Sequence, residues 1–129
     1  MKKFVRCVEE LDVFQKAYQL SLIVHKLTLT FPQIEQYILA SQLRRATKSI
    51  CANLAEGFAK QSDSKKEFAR YVSLSIGSSD ESRIWLQYAC DLGYVESKQI
   101  EELKRNYEEI SKMLRGLQKS LQPFSDTGY

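Results

Sequence analysis

Ile100, Leu103, Tyr107, Ile110, Leu114, Leu117 and Leu121 follow one another at steps of three and four without a break. A helix turns by about 100° per residue, so these side chains fall in one stripe. Such a stripe excludes a strand and needs a second apolar surface to cover it. The outer positions mix Glu, Lys and Arg, with Glu101–Arg105 and Glu108–Lys112 spaced for pairing one turn apart. Three earlier stretches repeat this period, and strand-like alternation is nearly absent. Two prolines and five glycines fall mostly at the edges of the periodic segments.

The first helix is expected over residues 12–30, with Asp12 and Gln15 as a capping box. Phe14, Ala17, Tyr18, Ser21, Val24, His25 and Thr28 share one side of it, and Leu20 and Leu27 widen the arc. Phe31-Pro32 ends it. The second helix starts between residues 33 and 39 and ends at 57–59, with Gly57 as its C-terminal cap. The third runs over residues 65–92, opened by a Ser64–Glu67 capping box and closed by Gly93. Phe68, Val72, Ile76, Leu86 and Cys90 mark one side of it; Leu74, Trp85, Tyr88 and Leu92 mark a second. Its serines and Gly77 would let another backbone come close. The fourth begins near residue 96 or 97. Long helices on short links make an all-α, up-down-up-down antiparallel four-helix bundle. The bundle is expected over residues 11–121, after an N-terminal extension (1–10) and before a flexible C-terminal tail (122–129).

Residues 41–58, SQLRRATKSICANLAEGF, carry three different faces. Leu39, Leu43, Ala46, Ile50 and Leu54 face the core. Arg44, Arg45 and Lys48 fall on the opposite side as one basic face, ordinarily just a solvated outer face. Further along that side come Cys51, Ala52, Ala55 and Phe58, so residues 50–59 are apolar nearly all round. A helix covered on every side in a short chain implies a second subunit. Gln42, Ser49, Asn53 and Glu56 form a polar stripe between the two faces. Buried polar groups need partners, so Asn53 and Glu56 are expected to bond to a neighbouring helix, at Ser75, Ser79, Ser82 or Arg83.

The net charge of +3 says little alone. Its distribution says more. Residues 39–72 hold Arg44, Arg45, Lys48, Lys60, Lys65, Lys66 and Arg70 against Glu56, Asp63 and Glu67, a segment at +4 in a chain otherwise at −1. A concentration like this attracts polyanions. The expectation is phosphate contact with RNA or DNA, without strong sequence choice. The alternative is a scaffold whose cations meet an acidic protein. Phe58, Phe68 and Tyr71 beside the cluster are read as packed rather than stacked on bases.

No reaction is legible. His25 is the only histidine, on a packed-looking stripe, so no Ser–His–acid arrangement or metal site can be drawn around it. Glu56 has no second carboxylate, His or Cys at a helical spacing to make it catalytic. SIGSSD lacks the Lys and the Gly spacing of a phosphate loop. Cys7, Cys51 and Cys90 fit neither a disulfide framework nor a zinc site, and Cys51 and Cys90 read as small core residues. No catalytic residue, cofactor or metal is expected. No apolar run approaches the ~20 residues that span a bilayer. MKKFVRCVEE is followed by a run too short and too acidic for a signal peptide, so a cytoplasmic location is expected.

Leu43-Arg44-Arg45-Ala46, Ser49-Ile50, Asn53-Leu54-Ala55-Glu56-Gly57, Lys66-Glu67-Phe68 and Gly77-Ser78-Ser79-Asp80-Glu81 together resemble one family. It is the bacterial four-helix bundle proteins encoded by intervening sequences in 23S ribosomal RNA genes, and the likeness spans residues 11–121. The resemblance implies a homo-oligomeric ring, a pentamer, with no catalytic activity. It places Arg44, Arg45 and Lys48 as the motif's basic positions. A more distant resemblance is to the accessory protein of diversity-generating retroelements, a basic ring that works with nucleic acid. A net charge of +3 argues against an obligate ribosomal component.

Overall fold

A computed structural model describes residues 5–122. It contains four helices, α1 (Asp12–Thr28), α2 (Leu39–Lys60), α3 (Lys65–Asp91) and α4 (Ser97–Ser120), with short 3-10 turns at Val8–Glu10 and Gln33–Glu35. There is no strand among the described residues. The flexible tail expected over residues 122–129 lies, but for Gln122, outside them.

The apolar stripes meet in one core. Leu39, Leu43, Ala46, Ile50 and Leu54 of α2 are all buried, as their spacing requires. Leu39, Leu43, Ile50 and Leu54 pack with Val24 of α1, Phe68, Val72 and Leu86 of α3, and Ile100, Tyr107, Ile110 and Leu114 of α4. Helix α3 packs extensively against both α2 and α4; α1 lies on α2 and meets α4 only lightly. Val8, in the expected N-terminal extension, also joins this core.

Local chemistry sets the ends. The Ser64 hydroxyl accepts from the Glu67 amide at 3.2 Å, the cap read from sequence. Gly93 has φ +83°, and the Gly93 and Tyr94 amides close back on the Cys90 and Ala89 carbonyls. That is a Schellman turn, which a residue with a Cβ adopts only under strain. Two expected caps are absent. Helix α1 starts at Asp12 with Leu11 as its N-cap and no side-chain cap bond, while Gln15 instead donates to the Glu9 carbonyl. Gly57 lies inside α2, buried, where a Cβ would stand 2.5 Å from the Tyr71 Cβ and 3.0 Å from the Phe68 ring. It serves close helix approach, not termination. Of the α3 serines and Gly77 expected to admit another backbone, Ser75 and Ser79 meet one, but nothing lies within 4 Å of the would-be Gly77 Cβ.

The buried serines of α3 bond to neighbouring backbone. Ser75 Oγ donates to the Ile50 carbonyl at 2.9 Å and Ser79 Oγ to the Tyr107 carbonyl at 3.0 Å. These pin α3 between α2 and α4 and pair both serine hydroxyls, whereas the buried Tyr107 hydroxyl has no partner among the described residues. Glu35 ties the two ends of the chain's links together. Its carboxylate accepts from the Tyr94 hydroxyl at 2.7 Å and from the Leu39 amide at 3.4 Å, at the start of α2.

One side of α3 stays uncovered. Ile38, Ile84, Tyr88 and Leu92 are each more than half exposed, and Tyr37 is 87% exposed. A groove of about 340 Å³ runs between Ile38, Leu39, Trp85, Tyr88 and Leu92.

Candidate nucleic-acid interface

Arg44, Arg45 and Lys48 do not form one solvated face. Arg44 turns into the protein, where Nη1 donates to Thr28 Oγ1 at 2.8 Å and Nη2 to the Gln36 carbonyl at 2.8 Å. Gln36 Nε2 in turn donates to the Thr28 and Phe31 carbonyls, at 2.9 and 3.0 Å. The guanidinium therefore clamps the end of α1 to α2 through the link between them. A five-donor planar fork suits such a junction, where several acceptors converge. Sequence reasoning missed Thr28 and Gln36 as its partners, because a link's path cannot be read from helical spacing.

Arg45 points the other way, towards α3. It pairs with the Glu81 carboxylate and the Gln42 amide oxygen, while Glu81 also accepts from Trp85 Nε1 at 2.8 Å. Its side chain is 53% exposed, so the pair contributes little stability, up to ~1 kcal/mol. Lys48 lies on Arg44's flank. Its Nζ is 2.8 Å from His25 Nδ1. Desolvation, then the Lys48 and Arg44 charges, hold the His25 pKa below its usual value. Desolvation and Arg44 do the same to Lys48.

The other four cations gather at the corner where α2 passes into α3. Lys65 and Lys66 are exposed in the first turn of α3 and have no ion-pair partner among the described residues. Arg70 pairs with Glu67 at 3.3 Å and lies over the Tyr71 ring, 4.6 Å from its centroid. The Glu67 hydrogen bond is the chief reason its pKa rises. Lys60 Nζ is 6.0 Å from the same ring. Arg44 and Lys60 are sixteen positions apart on one helix, so about 24 Å of axis separates the two groups. The structure brings together Lys60, Lys65, Lys66 and Arg70, and Lys48 with His25, but not all seven.

The polar stripe bonds only in part as expected. Ser49 Oγ donates to the Arg45 carbonyl and Asn53 Nδ2 to the Ser49 carbonyl, both within α2. Glu56 is exposed and accepts from the Tyr71 hydroxyl at 3.2 Å. The partners expected for them are engaged elsewhere: Ser75 and Ser79 as described, Ser82 on the Ser78 carbonyl, Arg83 on Asp80. Ser49 and Asn53 are satisfied along their own helix, while Glu56 crosses to α3 through Tyr71 and not through the serines or Arg83.

Among the described residues no group of three His, Cys, Asp or Glu is placed to hold a metal ion. Cys51 and Cys90 are only partly buried rather than full core residues. Burial pushes the Cys51 thiol up to about 11, which keeps it unreactive. Among the described residues no helix is long and apolar enough to cross a membrane.

The family described as 23S rRNA-intervening sequence protein matches residues 9–116, a span that contains both basic groups and the whole helical core up to Leu114. This chain belongs to that family. A crystal structure from Bacteroides thetaiotaomicron, described as a protein with unknown function from the S23 ribosomal protein family, shares the fold with a TM-score of 0.72. It is 22% identical, covering 83% of this chain and 98% of its own. Among curated proteins no sequence matches. Family membership thus brings the four-helix fold and the motif, and leaves function to the residues.

Proposed function

We propose that this protein is a non-enzymatic homo-oligomer that binds nucleic acid through phosphates at the α2–α3 corner, using Lys60, Lys65, Lys66 and Arg70. The observation that carries the reading is the pair Lys65–Lys66 in the first turn of α3, exposed and without an ion-pair partner among the described residues. Cations there oppose the helix dipole, so helix stability alone disfavours them by ~0.3–1 kcal/mol each. A phosphate reverses that penalty, since it meets both the cations and a helix N-terminus. Arg44 drops out of the contact surface in this reading, because its donors are engaged.

The helices are proposed to run alternately up and down. Contacts of Gly57 with Tyr71, Ser75 with Ile50 and Arg45 with Glu81 progress in opposite senses along α2 and α3, which supports it. Self-assembly is supported by the uncovered apolar side of α3 and by the exposed Ala52, Ala55 and Ala59 of α2. A ring of five is the form the family resemblance implies. A cytoplasmic location belongs to the same reading. It draws on this chain's charges and not on the more distant likeness to the retroelement accessory protein.

Fluorescence anisotropy with labelled RNA and DNA across a salt series tests it. The parent is expected to bind, with log K falling against log salt at a slope of about −3 for four phosphate contacts. A Lys60/Lys65/Lys66→Glu variant of unchanged oligomer mass is expected to lose binding, and Arg45→Glu to keep it. Equal binding by parent and triple variant would remove the corner from the reading. No binding by the parent at low salt would favour the scaffold with an acidic protein partner.

A further inference from the structure

We infer that Lys48 and His25 form a second phosphate-binding position, backed by the fixed charge of Arg44, on the flank between α1 and α2 and remote from the α2–α3 corner. Arg45, Arg70, Arg83, Arg115 and Lys16 each lie within 4 Å of a carboxylate. Arg44 and Lys48, one turn apart on the same flank, have no such partner among the described residues. Like charges at that spacing repel. Arg44 cannot swing away, because Thr28 and Gln36 hold it with neutral oxygens. Its charge is therefore fixed in place and uncompensated.

Lys48 completes the arrangement. An ammonium has only donors, so at 2.8 Å the His25 Nδ1 must accept. The ring is then neutral, with its proton on Nε2. The flank offers that N–H and the remaining Lys48 hydrogens beside a fixed guanidinium, a donor set matched to phosphate oxygens. The charged groups facing His25 are Lys48 and Arg44, both on α2, and among the described residues no carboxylate lies within ion-pair reach of it. An arriving phosphate would offset both cations and favour a proton on His25. Protonated, His25 releases Lys48 and both turn to the anion.

The phosphate is either part of a nucleic-acid strand, in which case the inference rests on the function proposed above, or a free anion. His25 is the chain's single histidine, so its imidazole signal can be followed by proton NMR without assignment ambiguity. The titration is run on the whole protein alone, with inorganic phosphate, and with a short single-stranded RNA, for the parent and for Lys48→Gln. Alone, the parent ring is expected to titrate below 6.5. Ligand is expected to raise that midpoint by about half a unit or more, a roughly threefold tightening of binding between neutral and mildly acid pH. In Lys48→Gln, whose site is exposed and whose fold is checked by its melting curve, the free midpoint moves up and the ligand response shrinks. A response to phosphate alone identifies a small-anion position; a response to RNA alone identifies part of a strand path. A midpoint unmoved while anisotropy shows RNA bound overturns this inference and leaves the corner reading standing. A response to phosphate in a protein that binds no RNA does the reverse.

Discussion

An added Cβ at Gly57 would meet the Tyr71 Cβ at 2.5 Å, backed by the Phe68 ring at 3.0 Å, whereas at Gly77 it would meet nothing. Both residues sit inside long helices, where glycine is a weak choice. Gly57→Ala must push α3 away from α2 and is expected to destabilise by about 1–3 kcal/mol. Gly77→Ala gains helix propensity and is expected to stabilise by about 0.5–1 kcal/mol. Thermal melts of the two variants against the parent check both. A lower melting temperature for Gly77→Ala, with a smaller particle mass, would show that another chain comes close there. Which glycine was spatial was not legible in the sequence. Gly57 follows a helix-like run and looked like an end, because Tyr71 and Phe68 come to it from another helix.

Elements were more legible than their junctions. The α4 seam, the α2 core stripe, the Ser64 cap and the Gly93 turn all follow from spacing within one helix. The Arg44 clamp and the Glu35–Tyr94 bond do not, since one joins a helix to a link and the other joins two links, whose courses spacing leaves undetermined. Basic residues three and four apart looked like one face, yet Arg44 and Arg45 diverge by ~100° and reach different neighbours. Where a cap was correctly read, its strength can be measured. Ser64→Ala removes the acceptor of the Glu67 amide and is expected to lower stability by about 0.5–2 kcal/mol by chemical denaturation. Two of the corner lysines, Lys65 and Lys66, sit in that first turn. The same variant is therefore expected to weaken RNA binding modestly without changing the salt slope, because it loosens their placement and removes no charge.

For the molecule as a whole, the exposed apolar side of α3 decides whether one chain is enough. Ile38, Tyr88 and Leu92 are exposed around one apolar groove, and Ile84 is exposed one turn before Tyr88; clustered apolar surface of this kind marks interaction sites. Light scattering at micromolar concentration is expected to give a multiple of the 14.9 kDa chain, and a Tyr88→Glu/Leu92→Glu variant a smaller particle. A parent mass of one subunit would end the ring proposal. The double-sided pattern of α3 was legible in its sequence; which side faces outward followed only once α2 and α4 had claimed the other. The clamp at Arg44 carries a warning for any genetic selection on this motif. Substitutions there free the α1–α2 link and, with it, the helix that α4 scarcely holds. Such alleles will score as loss of binding while their defect is low abundance, through degradation of chains that open too often.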